Sequence, residues 1–286
     1  MKIPKSLLTL NSLILFTFIA PITYMLWRFA NFSRSISSFF QSWNVFGLLF
    51  NTVSVFFAVV LTSVLVGLLI SIVTVRFEFK GSKILFTLCA LPLVIPSYIG
   101  ALTYISAFSP KGLFVQIFNR YGIEEISGIE GFLGSWIVLT LFTYPYVQLI
   151  CSSALRNLDS TVEDAARSLG VNQFKVYTNV VIPRLKKPIV YSSLLVGLYV
   201  ISDFGAVSLM RYSTVTKAIY AYYELSILSD PVIFYSSLLI VLALLISFIQ
   251  RGSATSRSAK VSGTPRIPKK IRLERNGKVL VYSFLG

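Results

Sequence analysis

The chain of 286 residues is 55% hydrophobic with a mean hydropathy of +0.75, a composition that a soluble globular domain does not tolerate. It has no His, which removes the commonest general base and metal ligand. Its two cysteines, Cys89 and Cys151, lie far apart in or beside apolar runs, so neither a disulfide framework nor a metal site is expected, and no cofactor is implied.

Six apolar runs predict six membrane spans, each long enough at about 1.5 Å per residue to cross a bilayer core of about 30 Å. The first, about 7–27, follows Lys2 and Lys5 and ends at Trp27, an interfacial residue type. It starts like a signal peptide, but no small-residue cleavage site follows and Pro21 lies inside it, so an uncleaved span is expected. The second, about 45–75, opens on Asn51, Thr52 and Ser54, polar groups that call for protein or water rather than lipid around them.

The third run, about 84–108, contains Pro92 and Pro96, with Gly100 beyond. Such breakers are tolerated where neighbouring helices or a cavity re-satisfy the backbone. Pro92 and Pro96 therefore mark either a translocation path or a kinked packing helix. A polar loop, Lys111 to Gly131, carries Glu124, Glu125 and Glu130 against Lys111 and Arg120. The fourth span, about 132–155, holds Pro145.

Residues 158–188 form the one long polar interruption in the middle of the chain. Asp159 or Ser160 can cap a helix, and Glu163 stands at the capping-box spacing from Ser160. A short amphipathic helix over 162–169 stops at Gly170, and a second over 173–181 ends before Pro183. The result is a helix–Gly–helix elbow, a knob shaped to seat in another protein's groove. The fifth and sixth spans run about 189–209 and 232–249. From Arg251 to Lys278 the chain turns basic and flexible in composition, rich in Ser, Gly and Pro, and 279–285 turns apolar again, like the opening of a further element. The domain division expected is thus 1–250 for the membrane bundle and 251–286 for a basic tail.

Charge distribution sets the orientation. With the N-terminus inside, twenty of the 26 Lys and Arg fall on the inner side and six on the outer, namely Arg28, Arg34, Lys111, Arg120, Arg211 and Lys217. The net charge of +15 is therefore topological, and no nucleic-acid partner is implied. The fold class expected is all-α: a polytopic membrane helical bundle of six spans with cytoplasmic N- and C-termini, and the elbow on the inner side.

Asp164-Ala165-Ala166, then Gly170, then Ile182-Pro183, resembles the Glu-Ala-Ala signature of ABC-importer permeases. Asp164 takes the place of Glu, with Glu163 beside it, and Ile182 replaces the usual Leu. The resemblance implies that the elbow is a coupling loop docked on a cytoplasmic ATP-binding subunit. Ser202-Asp203-Phe204-Gly205-Ala206-Val207, followed by Arg211-Tyr212 and Ala218-Ile219-Tyr220, is similar to the ferric-iron subgroup of these permeases. Parts of that pattern are shared with permeases for thiamine, polyamines and other small solutes. The resemblance spans about residues 40–250. Subgroup members commonly carry two six-span halves joined by a basic linker, so this chain is expected to be one half, or to pair with a second permease or with itself.

Asp203 either lies on the solute path, caps the helix that begins at Phe204, or pairs with Arg211. The tyrosines Tyr98, Tyr104, Tyr199, Tyr220, Tyr222 and Tyr223 fit an interfacial belt, although phenolates also suit ferric iron. No G-x-x-x-x-G-K-[ST] loop occurs, so ATP hydrolysis is expected in a partner chain and the protein itself is not expected to be an enzyme. The implied partners are ATP-binding subunits, an extracytoplasmic solute-binding protein and the lipid of an inner membrane. The competing readings are an ion-coupled secondary carrier with Asp203 as its ion site, and a non-transporting membrane anchor.

Overall fold

A computed structural model describes residues 5–31, 44–121, 130–225, 230–254 and 271–272. The expectations placed on Lys2, Arg34, Glu124 and Glu125, and on the tail at 255–270 and 273–286, lie outside the described residues.

The described chain is helical nearly throughout. In order it forms α1 (Lys5–Ala30), α2 (Val45–Arg76), α3 (Ser82–Ala90), a 3₁₀ turn (Leu91–Val94), α4 (Ser97–Ala107), α5 (Leu113–Asn119), α6 (Gly131–Arg156), α7 (Thr161–Ser168), α8 (Gln173–Arg184), α9 (Lys186–Ser202), α10 (Gly205–Leu209), α11 (Val215–Leu225) and α12 (Asp230–Ala254). Two-residue strands β1 (Phe77–Glu78) and β2 (Ile271–Arg272) pair in parallel. Among the described residues, four helices are long and apolar enough to cross a membrane, in α1, α2, α6 and α12, and the number rises to six if each of two bent helix pairs counts as one span.

One of those bent pairs corrects an expected span, and a helix break at 203–204 corrects another. The run 84–108 is not one helix: α3 with its 3₁₀ turn meets α4 at 101°. Pro92 sits at the start of the 3₁₀ turn and Pro96 caps α4. Neither has an N–H to give, so the i→i−4 ladder is interrupted at both and a new helix starts from the Pro96 carbonyl. The run 189–209 is likewise divided. α9 begins at Lys186, stops at Ser202, and the helix restarts at Gly205.

The chain divides into two compact units, described in turn. The first draws on Met1–Thr52 and Ser213–Leu244. Its core is Val45, Val215, Phe234 and Tyr235, with Phe29, Leu48 and Tyr222 packed around them. Asn51 donates to the Ser213 carbonyl at 2.8 Å, and the Thr52 hydroxyl accepts the Val215 N–H at 3.0 Å. The polar opening of α2 thus faces protein, as its sequence required.

The second unit draws on Val53–Tyr212 and Leu245–Gly286. Its core draws Val55 and Val59 of α2, Ala101 of α4, Leu139 and Val147 of α6, Val196 and Val200 of α9 and Val207 of α10 together, and α2 packs on α6 within it. The outer face of α2 is lined by Phe57, Leu61, Leu65 and Leu69, all exposed. The opposite face carries Ser63, Gly67 and Ser71, buried at four-residue intervals. This is the inside-out pattern of a helix whose solvent is lipid: large apolar groups outside, small and polar groups at the helix contact. Ser63 shares a 2.8 Å hydrogen bond with Thr143, Thr62 one of 2.9 Å with Thr140, and Ser71 donates to the Gln148 carbonyl at 2.9 Å. Several Ser and Thr hydroxyls also return to carbonyls of their own helix, so they bring no unsatisfied donor into the bilayer.

Gly67 sets the distance between these two helices. A Cβ there would stand 2.6 Å from the Tyr144 carbonyl oxygen and 2.7 Å from the Val147 Cβ. Both obstacles belong to the core of α6 and have no flexible end to move. Gly67→Ala is expected to cost about 1–3 kcal/mol by overpacking. A thermal melt of the detergent-solubilised protein checks it, with a midpoint lowered by several degrees.

Candidate functional site

The segment at 158–188 is held by one buried ion pair. Arg76 is the last residue of α2, and its guanidinium reaches Glu163 Oε1 at 2.7 Å with side-chain exposures of 3% and 1%. The other carboxylate oxygen lies 3.5 Å from Arg167, one turn further along α7. Arg167 also reaches Asp164 at 3.5 Å. An ion pair this dry is held by geometry, because each charge has lost its water and depends on the other.

Beneath the pair lies an apolar floor. Val75 of α2, Leu155 of α6, and Val181 and Leu185 behind the elbow are buried together, with Tyr177 and Ile189 against them. Burial pushes the Tyr177 phenol above its ordinary value, while the neighbouring Arg76 and Arg167 charges pull it back. Its ring also lies 6.5 Å from that of Phe77. A span end, an ion pair and an apolar cluster therefore fix this segment to the bundle.

Local sequence explains the elbow. α7 ends in a Schellman motif: the Val171 N–H donates to the Ala166 carbonyl and the Gly170 N–H to that of Arg167. Gly170 takes a φ of +76°, the left-handed region that glycine enters without cost. Asn172 then caps α8 by accepting the Phe174 N–H on its side chain. The helix α8 does not end before Pro183, contrary to the sequence expectation. It widens into a π turn at Tyr177–Val181 and continues through Pro183. Pro183 lacks an N–H and its ring crowds the carbonyl four residues back, and one wider turn relieves both. The direction changes after it, with a 66° bend between α8 and α9.

The capping box expected at Ser160 and Glu163 is absent. Ser160 has helical φ and ψ and its hydroxyl makes no cap bond. Asp159 instead accepts from the Thr161 N–H and hydroxyl. Glu163 is unavailable to the backbone because its carboxylate is turned inward to Arg76.

The remaining predicted residues are placed as follows. Asp164 is exposed on the outer side of α7, Ala165 is exposed, and Ala166 is half-buried. Ile182 is half-buried and Pro183 exposed. Around the elbow, Val162, Leu169, Val171 and Phe174 are exposed large apolar side chains, with Leu169 at 83% and Phe174 at 74%. Since α7 and α8 lie among basic residues, this patch is the part of the loop most unlike an ordinary solvated surface.

A second cluster joins the two helix breaks. Asp203 is buried in the gap between α9 and α10. Its Oδ1 accepts the Ala206 and Val207 N–H groups at 2.9 and 3.4 Å, which caps α10. Its Oδ2 accepts the Ser97 hydroxyl at 2.5 Å, from the residue after Pro96. Pro96 and Asp203 are thereby brought together, whereas Pro92 packs with its 3₁₀ turn against α6. Arg211 forms its ion pair with Glu130, at 3.3 Å. Sequence reasoning missed two participants. Ser97 had no signal of its own. Arg76 had one, a lone cation closing a long apolar run, but that position equally suits a helix C-terminus. Among the described residues, no group of three or more His, Cys, Asp or Glu is arranged to hold a metal ion.

Comparison with known proteins adds three findings. Residues 63–256 match the family model described as binding-protein-dependent transport system inner membrane component. The chain is 28% identical over 230 residues to the Fe(3+)-transport system permease protein FbpB 2 of Haemophilus influenzae, covering 80% of this chain and 42% of that protein. It is also 28% identical over 141 residues to the sulfate transport system permease protein CysT of Salmonella typhimurium, covering 49% of this chain and 50% of that one. The chain thus spans about half the length, or less, of the curated relatives it matches. Among solved structures, a bacterial ABC transporter involved in import of the polysaccharide alginate aligns with a TM-score of 0.69 at 15% identity, over 88% of this chain and 96% of that one. The MetNI methionine ABC transporter aligns at 0.58 and 16%, over 77% and 99%. These two likenesses are of fold.

Glu163→Ala would leave Arg76 buried without its partner, at a cost of about 3–5 kcal/mol. Replacing both, Arg76→Met with Glu163→Leu, is expected to recover most of that loss. Hydrogen exchange over 158–188 in the full chain reads the difference: faster in the single variant, near wild type in the double.

Proposed function

The chain belongs to the family of binding-protein-dependent transport system inner membrane components, and from that footing we propose that it is the transmembrane permease subunit of an ABC importer, with residues 158–188 as its coupling loop. The observation that carries this reading is the buried Arg76–Glu163 pair, which links the end of a membrane span directly to the elbow. A rigid push on the elbow is then a push on α2.

In this reading the bundle has six spans, with α3 and α4 together counting as one and α9 as another, and both termini on the cytoplasmic side of an inner membrane. Residues 1–250 are the permease domain and 251–286 a basic linker. The exposed apolar patch of Val162, Leu169 and Phe174, with Asp164 beside it, seats in a cleft of a cytoplasmic ATP-binding subunit. An extracytoplasmic binding protein delivers solute to the outer segments, Lys111 to Gly131 and Arg211 to Asp230. A second permease half, or a second copy, completes the pathway. ATP binding in the partner subunits stabilises one of two arrangements of the spans, and the elbow transmits that preference.

For the solute we propose ferric iron. The similarity to the Fe(3+)-transport relative runs over 80% of this chain, against 49% for the sulfate relative. Sulfate is the second reading, favoured by equal identity over the shorter match.

Leu169→Asp together with Phe174→Asp is expected to reduce uptake at least about tenfold, and to remove the ATP-binding subunit from a tagged preparation, because two charges replace the apolar contact. Membrane insertion should be unchanged, since both side chains face away from the bundle. Undiminished uptake in that variant overturns the coupling role. Uptake of labelled ferric iron compared with labelled sulfate, in cells depending on this chain, decides the solute; uptake without any ATP-binding partner would favour an ion-coupled carrier.

A further inference from the structure

We propose that the ends of α2, α3 and α6 form a binding site for a phosphate-bearing anion, in a cavity whose walls supply two cations and no carboxylate. The cavity measures about 390 Å³ and is lined by Thr74, Ser82, Lys83, Phe86, Thr87 and Arg156, with Val75 behind them. That is room for many waters, at about 30 Å³ each, and falls at the lower end of the range of about 300–1,000 Å³ for small-molecule sites. It accommodates a phosphate with a glycerol attached.

The charges come from separate elements. Lys83 stands in the first turn of α3 and Arg156 closes α6. Three other described arginines are matched with carboxylates, Arg76 and Arg167 with Glu163 and Arg211 with Glu130, while Arg184 donates to the Asp159 carbonyl. Arg156 instead lies over the Phe86 ring, 4.9 Å from its centre. A cation–ring contact leaves guanidinium N–H groups for a bidentate acceptor. Among the described residues, no ion pair is recorded for Arg156 or for Lys83. Both side chains are exposed on the cavity wall, where an anion can draw on the two charges together. The α3 backbone adds to this, since the Lys83 N–H lies in the first turn of a nine-residue helix, at its positive end.

Two sources can supply the phosphate: an anionic phospholipid headgroup or the free ion. On the orientation proposed above, the cavity opens at the cytoplasmic leaflet, where basic pockets between spans meet anionic headgroups. Val75 belongs both to the cavity wall and to the apolar floor under the elbow. An occupant would therefore brace the same segment that the Arg76–Glu163 pair holds.

The test uses the full chain in mild detergent. Native mass spectrometry reads retention of phosphatidylglycerol against phosphatidylcholine, and thermal stabilisation by inorganic phosphate forms a second arm. The wild type is expected to hold phosphatidylglycerol about tenfold more tightly than phosphatidylcholine, and Lys83→Gln with Arg156→Gln to lose that preference. Lys111→Gln with Lys217→Gln, an equal change in net charge elsewhere, should keep it. If phosphate stabilisation alone disappears in the cavity variant, the free ion is the ligand and the site stands. Lys83→Gln by itself, an exposed change that spares the Arg156–Phe86 contact, serves if the double variant does not fold. Equal retention of both lipids together with no phosphate response, or a lipid preference and a phosphate stabilisation that both survive the cavity substitutions, overturns the site. The readout is binding, so it succeeds or fails independently of whether the chain imports anything.

Discussion

A single dry ion pair organises the functional half of this molecule. Arg76 ends a helix of 32 residues, about 48 Å long at about 1.5 Å per residue, which is more than a bilayer core requires. The helix's last residue brings the cation into contact with Glu163. Neither charge has water to fall back on, so the geometry between span and loop is all-or-none: it is satisfied as a whole or lost at a cost of several kcal/mol. Such a fixed contact suits the coupling role proposed for the elbow.

The rest of the second unit has the matching property. The α2–α6 contact is made by small residues and hydroxyls at four-residue intervals, so the two backbones approach until Gly67 meets the Tyr144 carbonyl. Close packing and interhelical hydrogen bonds replace the hydrophobic effect, which has no driving force between helices already in oil. In the coupling role proposed above, displacement at the elbow would meet a closely packed bundle. The two broken helices are the exception, and they meet at Asp203. One carboxylate closes a helix cap and a hydroxyl bond between the two breaks. The chain thus places its irregular backbone where a polar side chain can satisfy it.

Much of this was legible in the residues. The long apolar runs declared membrane helices, and Gly170 after a short amphipathic stretch declared the elbow, because only a positive φ ends a helix in that way at so little cost. Pro92 and Pro96 marked breakers in the third run, although that run was read as one span. The polar start of α2 called for protein or water rather than lipid. What was not legible has a common cause. The capping box at Ser160 and Glu163 obeyed a local rule, but the carboxylate was claimed by a residue 87 positions away. The same holds for Asp203, whose partner Ser97 is 106 positions distant. Pro183 was read as a stop, yet a π turn carried the helix through it, held by the apolar floor on which that turn packs.

By itself, then, the sequence determined the elements and the solvent they live in: hydropathy, chain length and the breakers Gly and Pro act over a few neighbouring residues, and their effects are written locally. Tertiary structure alone decided which charges are buried together, where the two breaks converge, and that Lys83 and Arg156 share one cavity. Those outcomes depend on which helix ends arrive at the same place. Arrival is settled by packing over the whole bundle, and no stretch of residues short enough to be read as a motif contains it.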